Sequence, residues 1–225
     1  MESKEFLKTR QSIYMKLLTN KVLTVFFLLV VISPWFWVFI KNRVDYGSKG
    51  EKLIFPNNPA IVTRAAVLQK ELIDSGFSLG VAKFLVNKVT IFTYEITGRY
   101  LESFNPGYLF FQGDLDLKRS TRAAGPLYLA FLPLIIFSFP EVMKRKNRFL
   151  LFALLISPLP AIVIAAHYHN FFRIPLFLIL TYLAALGLKK ITIKKWIFCG
   201  ILVLLFFELA RFIHDFWIHY PSRLP

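Results

Sequence analysis

Five apolar runs divide this chain, and they constrain its fold more than any other feature. A helix that crosses a hydrocarbon core about 30 Å thick needs roughly 20 apolar residues, and shorter runs span with help from flanking side chains. Hydrophobic residues make up 56% of the 225 residues, more than a soluble domain of this size carries. The sequence therefore predicts an all-α, polytopic membrane helix bundle with about five transmembrane helices. The runs are 23–40, 125–139, 149–166, 174–188 and about 196–212.

Lysine and arginine residues cluster at alternate ends of these runs. Short cytoplasmic loops of membrane proteins hold the excess of basic residues, so the basic side is the inner side. The short outer loop 167–173 and the outer tail then hold one basic residue each, Arg173 and Arg223. We therefore attribute the net charge of +15 to topology, with no nucleic acid as partner. The thirteen inner basic residues are Lys4, Lys8, Arg10, Lys16, Lys21, Lys144, Arg145, Lys146, Arg148, Lys189, Lys190, Lys194 and Lys195.

The alternation of apolar and polar segments also predicts how the chain is divided and where it is located in the cell. The first apolar run is followed by Lys41 rather than by a small-residue cleavage site, which predicts a retained signal anchor. We expect an integral protein of the plasma (inner) membrane, with its N-terminus in the cytoplasm and its C-terminus outside. The parts are a basic cytoplasmic N-terminus (1–22), transmembrane helix 1 (23–40), an extracytoplasmic helical loop (41–124), transmembrane helices 2–5 (125–212) and an extracytoplasmic tail (213–225).

The long outer loop contains two amphipathic patterns. In 59–76, apolar residues recur every three or four positions after a proline and end at a glycine. In 79–104, the same spacing continues over a longer stretch. The sequence predicts two amphipathic helices, which either lie on the outer membrane surface or pack on the bundle.

Polar residues that could carry chemistry fall on the predicted outer side. His167 and His169 are a weak metal signal, because a helix end would point the two side chains apart and no adjacent carboxylate completes a ligand set. We expect no metal and no cofactor. The outer residues either form one polar, substrate-binding site or are solvated loop ends. The candidate substrate-binding residues are Asp114, Arg119, Arg122, His167, His169 and Arg173.

Glu208 is an ionisable residue within the fifth apolar run. A charged side chain at that depth is unfavourable in lipid, so such a residue is a functional candidate by default. Arg211 and Asp215 follow at helical spacing and offer a local chain of ion pairs. This spacing favours a structural role for Glu208 over a functional one.

Three stretches resemble a known family. They are "YLESFNPGYLFFQGDLDLKRSTRAAGPLYLAFLPLIIF", "HYHNFFRIPLFLILTYLAALGL" and "FIHDFWIHYP". Together they resemble the late part of C-type membrane glycosyltransferases related to the dolichyl-phosphate-mannose-protein mannosyltransferases, over about 79–221. The matching residues of the first stretch are Phe104, Asn105, Pro106, Tyr108, Leu109, Phe110, Gly113, Asp114, Arg119, Gly125, Leu132 and Pro133.

The resemblance implies a function and its partners. Enzymes of that family transfer a sugar from a polyprenyl-phosphate carrier to an acceptor on the outer face of the membrane. The implied partners are membrane lipid and a polyprenyl-phosphate-linked sugar. A cationic patch would suit the carrier, since phosphate favours arginine and lysine partners. The implied patch consists of Arg119, Arg122, His169 and Arg173.

The same resemblance leaves the catalytic residues unassigned. The family's catalytic carboxylate lies in its first outer loop, and several spans separate that loop from the late segment. Here one span precedes the segment, so the chain resembles the C-terminal half of such an enzyme. The alternative is a non-catalytic membrane subunit or scaffold that works with a partner membrane subunit.

The predicted topology can be tested by cysteine labelling. Cysteines introduced at Ser48 and Ser222 should react with impermeant thiol reagents added outside intact cells, because both positions lie in predicted outer segments. A cysteine at Asn147 should react only after the membrane is made permeable. Labelling at Asn147 in intact cells would show that the orientation is reversed.

Overall fold

The fold is known from a computed structural model, and every regular element that it describes is a helix. It describes residues 21–42, 58–114, 117, 120–144, 147–163, 171–191 and 195–223. The helices are α1 (Lys21–Ile32), α2 (Pro34–Asn42), α3 (Pro59–Asp74), α4 (Leu79–Leu85), α5 (Lys88–Ser103), a π-helical turn (Gly107–Gln112), α6 (Phe131–Val142), α7 (Arg148–Ile156), α8 (Leu159–Val163), a 3-10 turn (Phe171–Arg173), α9 (Ile174–Ile191), α10 (Lys195–His214), a second π-helical turn (Asp215–His219) and α11 (Tyr220–Arg223).

Two helices in the described part of the chain are long and apolar enough to cross a membrane. They are α9 and the continuous helical stretch Lys195–Arg223. The bent pair α1 and α2 adds a third if the two count as one span. α6 and the run Arg148–Ile162 are apolar but shorter. The structure therefore supports an all-helical membrane protein with two or three spans, and a total of five stays a prediction.

The first apolar run is bent rather than straight. α1 and α2 meet at 58°, and Pro34 begins the second helix. Proline has no backbone N–H, so it interrupts the helical hydrogen bonds and bends the chain. The hydroxyl of Ser33 donates to the Leu29 carbonyl at 2.6 Å, and the backbone N–H of Trp35 donates to the Pro126 carbonyl at 3.3 Å. The bend thus joins the first run to the segment that precedes α6.

The core of the bundle is the contact between α6 and α9. Gly187 lies so close to the Leu134 carbonyl that a Cβ atom there would overlap it. Small residues allow this approach, which membrane helices need because lipid supplies no hydrophobic drive for association. Buried side chains on both sides of this contact, including Phe131 of α6 and Leu176 and Leu183 of α9, complete the packing.

The amphipathic pattern 79–104 is two helices, not the single helix that its spacing predicts. The first ends at Leu85, and Asn87 caps the second, because its side chain accepts hydrogen bonds from the N–H groups of Val89 and Thr90 at 2.9 and 3.0 Å. The Thr90 hydroxyl accepts from the Asn87 N–H in return, at 2.9 Å. Capping at this position outweighs the continuous apolar spacing.

α5 is attached to the bundle. The Tyr100 hydroxyl donates to the Leu155 carbonyl of α7 at 3.1 Å, while α3 packs on α5 through Ile61, Ala65 and Ile91. Of the two positions considered for the loop helices, contact with the bundle is therefore observed for α5.

The helix ends group at two opposite ends of the bundle. At one end, the Lys41 ammonium lies 4.8 and 4.9 Å from the ring centres of Phe216 and Tyr220. At the other end, the Lys190 ammonium lies 3.8 Å from the Glu141 carboxylate. Each contact joins segments that are predicted to lie on the same side of the membrane, and the division into two sides and the orientation both stay predictions.

Replacing Gly187 by alanine should destabilise the bundle. The added methyl group must displace the backbone of α6, and such overpacking lowers the free energy of unfolding by about 1–3 kcal/mol. Gly200→Ala is the matched control, because nothing lies within 4 Å of a Cβ atom at Gly200. Alanine there should be neutral or stabilising by up to about 1 kcal/mol. Thermal unfolding in detergent micelles measures both, and equal effects would contradict the close α6–α9 contact.

Candidate functional site

The segment between α5 and α6 forms an irregular cap on one end of the bundle. Gly107–Gln112 is a π-helical turn, and residues 120–130 then cross back without regular structure, hereafter the 120–130 segment. Gly113 has a φ of 68°, and a Cβ atom on it would lie 2.5 Å from the Ser120 hydroxyl. A Cβ atom on Gly125 would lie 2.5 Å from the Leu109 carbonyl oxygen. These two glycines therefore allow the 120–130 segment to lie against the π-helical turn.

Glu208 binds the backbone of this segment. Its two carboxylate oxygens accept hydrogen bonds from the N–H groups of Leu129 and Ala130, at 3.0 and 2.9 Å. These N–H groups immediately precede α6, and Glu208 is 7% exposed. A carboxylate at a helix N-terminus satisfies donors that the helix leaves open and complements the helix dipole. Glu208 therefore caps α6 from a helix 78 positions further along the chain.

Other side chains near the C-terminus bind carbonyl groups of the same region. The ion-pair chain that spacing predicts for Glu208, Arg211 and Asp215 is therefore wrong among these described residues. Asp215 pairs instead with Arg223 at 2.8 Å. The bonds to the backbone are Arg211 to the Ala123 carbonyl at 3.3 Å, Arg223 to that of Thr121 at 3.2 Å, and the Tyr220 hydroxyl to that of Leu117 at 2.7 Å.

Arg173 lies inside this end of the bundle. Its side chain is 2% exposed, its Nε donates to the Ser103 hydroxyl at 3.1 Å, and its guanidinium lies 4.6 Å from the ring centre of Tyr108. A cation over an aromatic face is stabilised most when water is excluded. Burial lowers the pKa of neighbouring Arg99. The carboxylate of Glu95 raises this pKa, whereas the positive charge of Arg173 lowers it further. Arg173 thus joins α5, the π-helical turn and the start of α9.

The predicted site residues divide by exposure. Asp114 directly follows Gly113 and is buried, as is Arg173. Arg122 is exposed and has a φ of 57°, the one positive value for a residue other than glycine in the described part of the chain. The structure places all three at the same end of the bundle, and only Arg122 faces outward. The other three candidates, Arg119, His167 and His169, lie outside the described residues.

A small pocket lies where the bend of the first run meets the 120–130 segment. Neither Trp35 nor Thr121 is among the site residues predicted from the sequence. Pro34 was the one sequence feature that could have indicated this pocket. A proline inside an apolar run frees backbone groups, and another part of the protein must bind them. The pocket is lined by Pro34, Trp35, Val38, Ser120, Thr121, Ala124, Gly125 and Pro126.

No protein-family model, curated protein or solved structure matches this chain. Within the residues that the structure describes, no group of three or more His, Cys, Asp or Glu side chains could hold a metal ion. The fold and the site therefore define a class: an all-helical protein with membrane-spanning helices and a hydrogen-bonded polar cap at one end.

Glu208→Gln should weaken the cap on α6. The amide retains one acceptor oxygen, so one of the two backbone N–H groups would face an N–H donor instead. We expect a loss of about 2 kcal/mol in the free energy of unfolding, the range for a hydrogen bond to a charged group. Glu71→Gln on the exposed face of α3 is the control and should change stability by less than about 0.5 kcal/mol. Equal melting temperatures for the two variants would show that the capping bonds contribute little.

Proposed function

We propose that this polar cap binds the phosphate of a polyprenyl-phosphate-linked sugar at the outer face of the plasma (inner) membrane. The chain would then be the carrier-binding part of a C-type membrane glycosyltransferase. Two findings support the proposal. The first is the sequence resemblance over about 79–221, and the second is the exposed Arg122 on a segment that is held in place from several sides.

Arg122 carries the proposal because its backbone is held in an uncommon conformation. A positive φ is unfavourable for a residue with a side chain and persists only where the surroundings enforce it. The Ser120 hydroxyl accepts a hydrogen bond from the Arg122 N–H at 3.1 Å. Arg211 and Arg223 hold the carbonyl groups of the residues on either side, Ala123 and Thr121. The Arg122 side chain therefore extends from a backbone that is held in position, which favours a directed contact with a phosphate.

Arg173 has a different part in this proposal. Its burial under Tyr108 and its bond to Ser103 keep it from the surface in this structure. We assign it to positioning the π-helical turn, and we assign the contact with phosphate to Arg122. The patch implied by the resemblance therefore contains two residues that the structure describes, and we give them different roles. Arg122 contacts the phosphate, and Arg173 positions the π-helical turn.

A second candidate function rests on the surface of α10. Val203, Phe206 and Phe207 are spaced along one face and are 71%, 74% and 63% exposed. An apolar helix face of this kind contacts either lipid or another membrane helix. In the second case the chain would be a non-catalytic subunit or scaffold bound to a partner membrane subunit through α10.

The carrier proposal predicts a loss of binding in Arg122→Gln. Binding of a polyprenyl phosphate to the purified full chain in nanodiscs should weaken by about 1.5–3 kcal/mol, because a charged hydrogen bond to phosphate is lost. Binding of phosphatidylglycerol should weaken by about 1 kcal/mol or less, as for a general headgroup contact. Arg148→Gln, an exposed arginine that begins α7, is the matched control and should bind as the wild type does. Equal, small losses for both lipids would mean that Arg122 only anchors the chain to headgroups.

A further inference from the structure

Two buried side-chain atoms with no hydrogen-bond partner belong to residues that line the pocket beside the bend of the first apolar run. They are the indole Nε1 of Trp35 and the hydroxyl of Thr121, whose residues are 7% and 1% exposed. Both residues line the same space. Leaving a buried donor unpaired lowers stability by about 1–3 kcal/mol, so proteins pair nearly all of them. Two such atoms on residues that line one pocket indicate a group that binds there.

The neighbouring groups are already paired, which isolates these two. The Ser120 hydroxyl donates to the Gln112 carbonyl at 3.3 Å and accepts from the Arg122 N–H. The Trp35 backbone N–H donates to the Pro126 carbonyl. Among the side chains that line the pocket, the indole N–H and the Thr121 hydroxyl are the two buried polar groups without a partner, and they can bind a ligand atom. An indole N–H can only donate, and a hydroxyl can donate as well.

The chemistry of the pocket favours an acceptor with negative charge. α2 begins at Pro34, which lines the pocket, so the positive end of that helix dipole lies there. Arg122 follows Thr121 directly in the chain and is exposed. Two donors, a helix N-terminus and an adjacent arginine all complement an anionic oxygen. The space is about that of one water molecule, so it admits a single oxygen rather than a whole phosphate.

We infer that this pocket binds one oxygen of a lipid phosphate, through hydrogen bonds from the Trp35 indole N–H and the Thr121 hydroxyl. The rest of the headgroup lies outside the pocket, where Arg122 supplies the balancing charge. This inference rests on the proposed function and adds to it a specific subsite. A water molecule offers the same accepting oxygen without charge, and the experiment distinguishes the two sources.

Two variants remove one donor each: the first keeps an aromatic ring at the position, although a smaller one, and the second keeps the shape of the side chain. Trp35→Phe removes the indole N–H, and Thr121→Val removes the hydroxyl. Each should weaken binding of polyprenyl monophosphate to the full chain in phosphatidylcholine nanodiscs by about tenfold, as the loss of one hydrogen bond to a charged group implies. Matched controls are Trp37→Phe, an exposed tryptophan of the same helix, and Thr181→Val, a buried threonine of α9 whose hydroxyl also lacks a partner. Both controls should bind within about twofold of the wild type.

A second measurement follows lipid binding to the wild-type chain, and a variant is used only to assign one resonance. Indole N–H resonances of the ¹⁵N-labelled wild-type chain are recorded by NMR, and the one missing from Trp35→Phe, or from Trp35→Tyr if the first variant does not fold, belongs to Trp35. Polyprenyl monophosphate should move this resonance downfield and leave those of the other three tryptophans in place. No movement at saturating lipid would overturn the inference.

The outcomes separate this inference from the proposed function. If Trp35→Phe and Thr121→Val bind the lipid as the wild type does while Arg122→Gln does not, the pocket holds only water and the carrier proposal stands. If none of the three variants weakens binding, both fail. If the two pocket variants weaken binding and the Trp35 resonance moves, the subsite is supported.

Discussion

The carboxylate of Glu208 is the contact on which the rest of this structure depends. In a low-dielectric surrounding, each unpaired backbone N–H raises the free energy of the fold by several kcal/mol. The 120–130 segment has no regular structure of its own, yet it lies within the bundle. Glu208 accepts from Leu129 and Ala130 and so allows this segment to end where α6 begins. The hydrogen bonds to these two N–H groups therefore explain why an ionisable residue lies within the apolar helix α10.

The C-terminal part of the chain acts as a clamp on that segment. Arg211, Tyr220 and Arg223 each donate to a carbonyl group between 117 and 123, and Lys41 packs on the aromatic rings of the same helical stretch. Glu208 and Arg211, which sequence spacing would pair with each other, therefore bind backbone groups. Loss of any one of these three side chains would leave a carbonyl group between 117 and 123 without that hydrogen-bond partner.

This clamp gives the proposed carrier site its rigidity. Arg122 stands between two carbonyl groups that arginines hold, and Trp35 reaches the segment from the bend of the first run. Arg173 fixes the π-helical turn from below through Ser103 and Tyr108. Binding sites need such support, because a guest is held tightly only when its partners are positioned before it arrives. The proposed contacts with phosphate come from residues that the fold already holds in place.

Local pattern determined part of this protein. The run 174–188 became α9 (Ile174–Ile191) and the run 196–212 became α10 (Lys195–His214), since an apolar stretch of that length specifies a helix wherever it packs. The break at Asn87 also had a local signal, an asparagine three residues before a threonine. A polar outer site was predicted through Asp114, Arg122 and Arg173, but not their division into buried and exposed.

Tertiary structure alone decided the rest. The apolar run that begins at Gly125 predicts a helix there, whereas α6 begins at Phe131, because Glu208 binds the preceding N–H groups from 78 and 79 positions away. The Trp35–Thr121 pocket likewise joins residues 86 positions apart. Spacing along a chain reports which residues share a helix face, and it contains no information on which distant groups will meet. Those meetings are set by the packing of whole helices, so they appear only in the folded bundle.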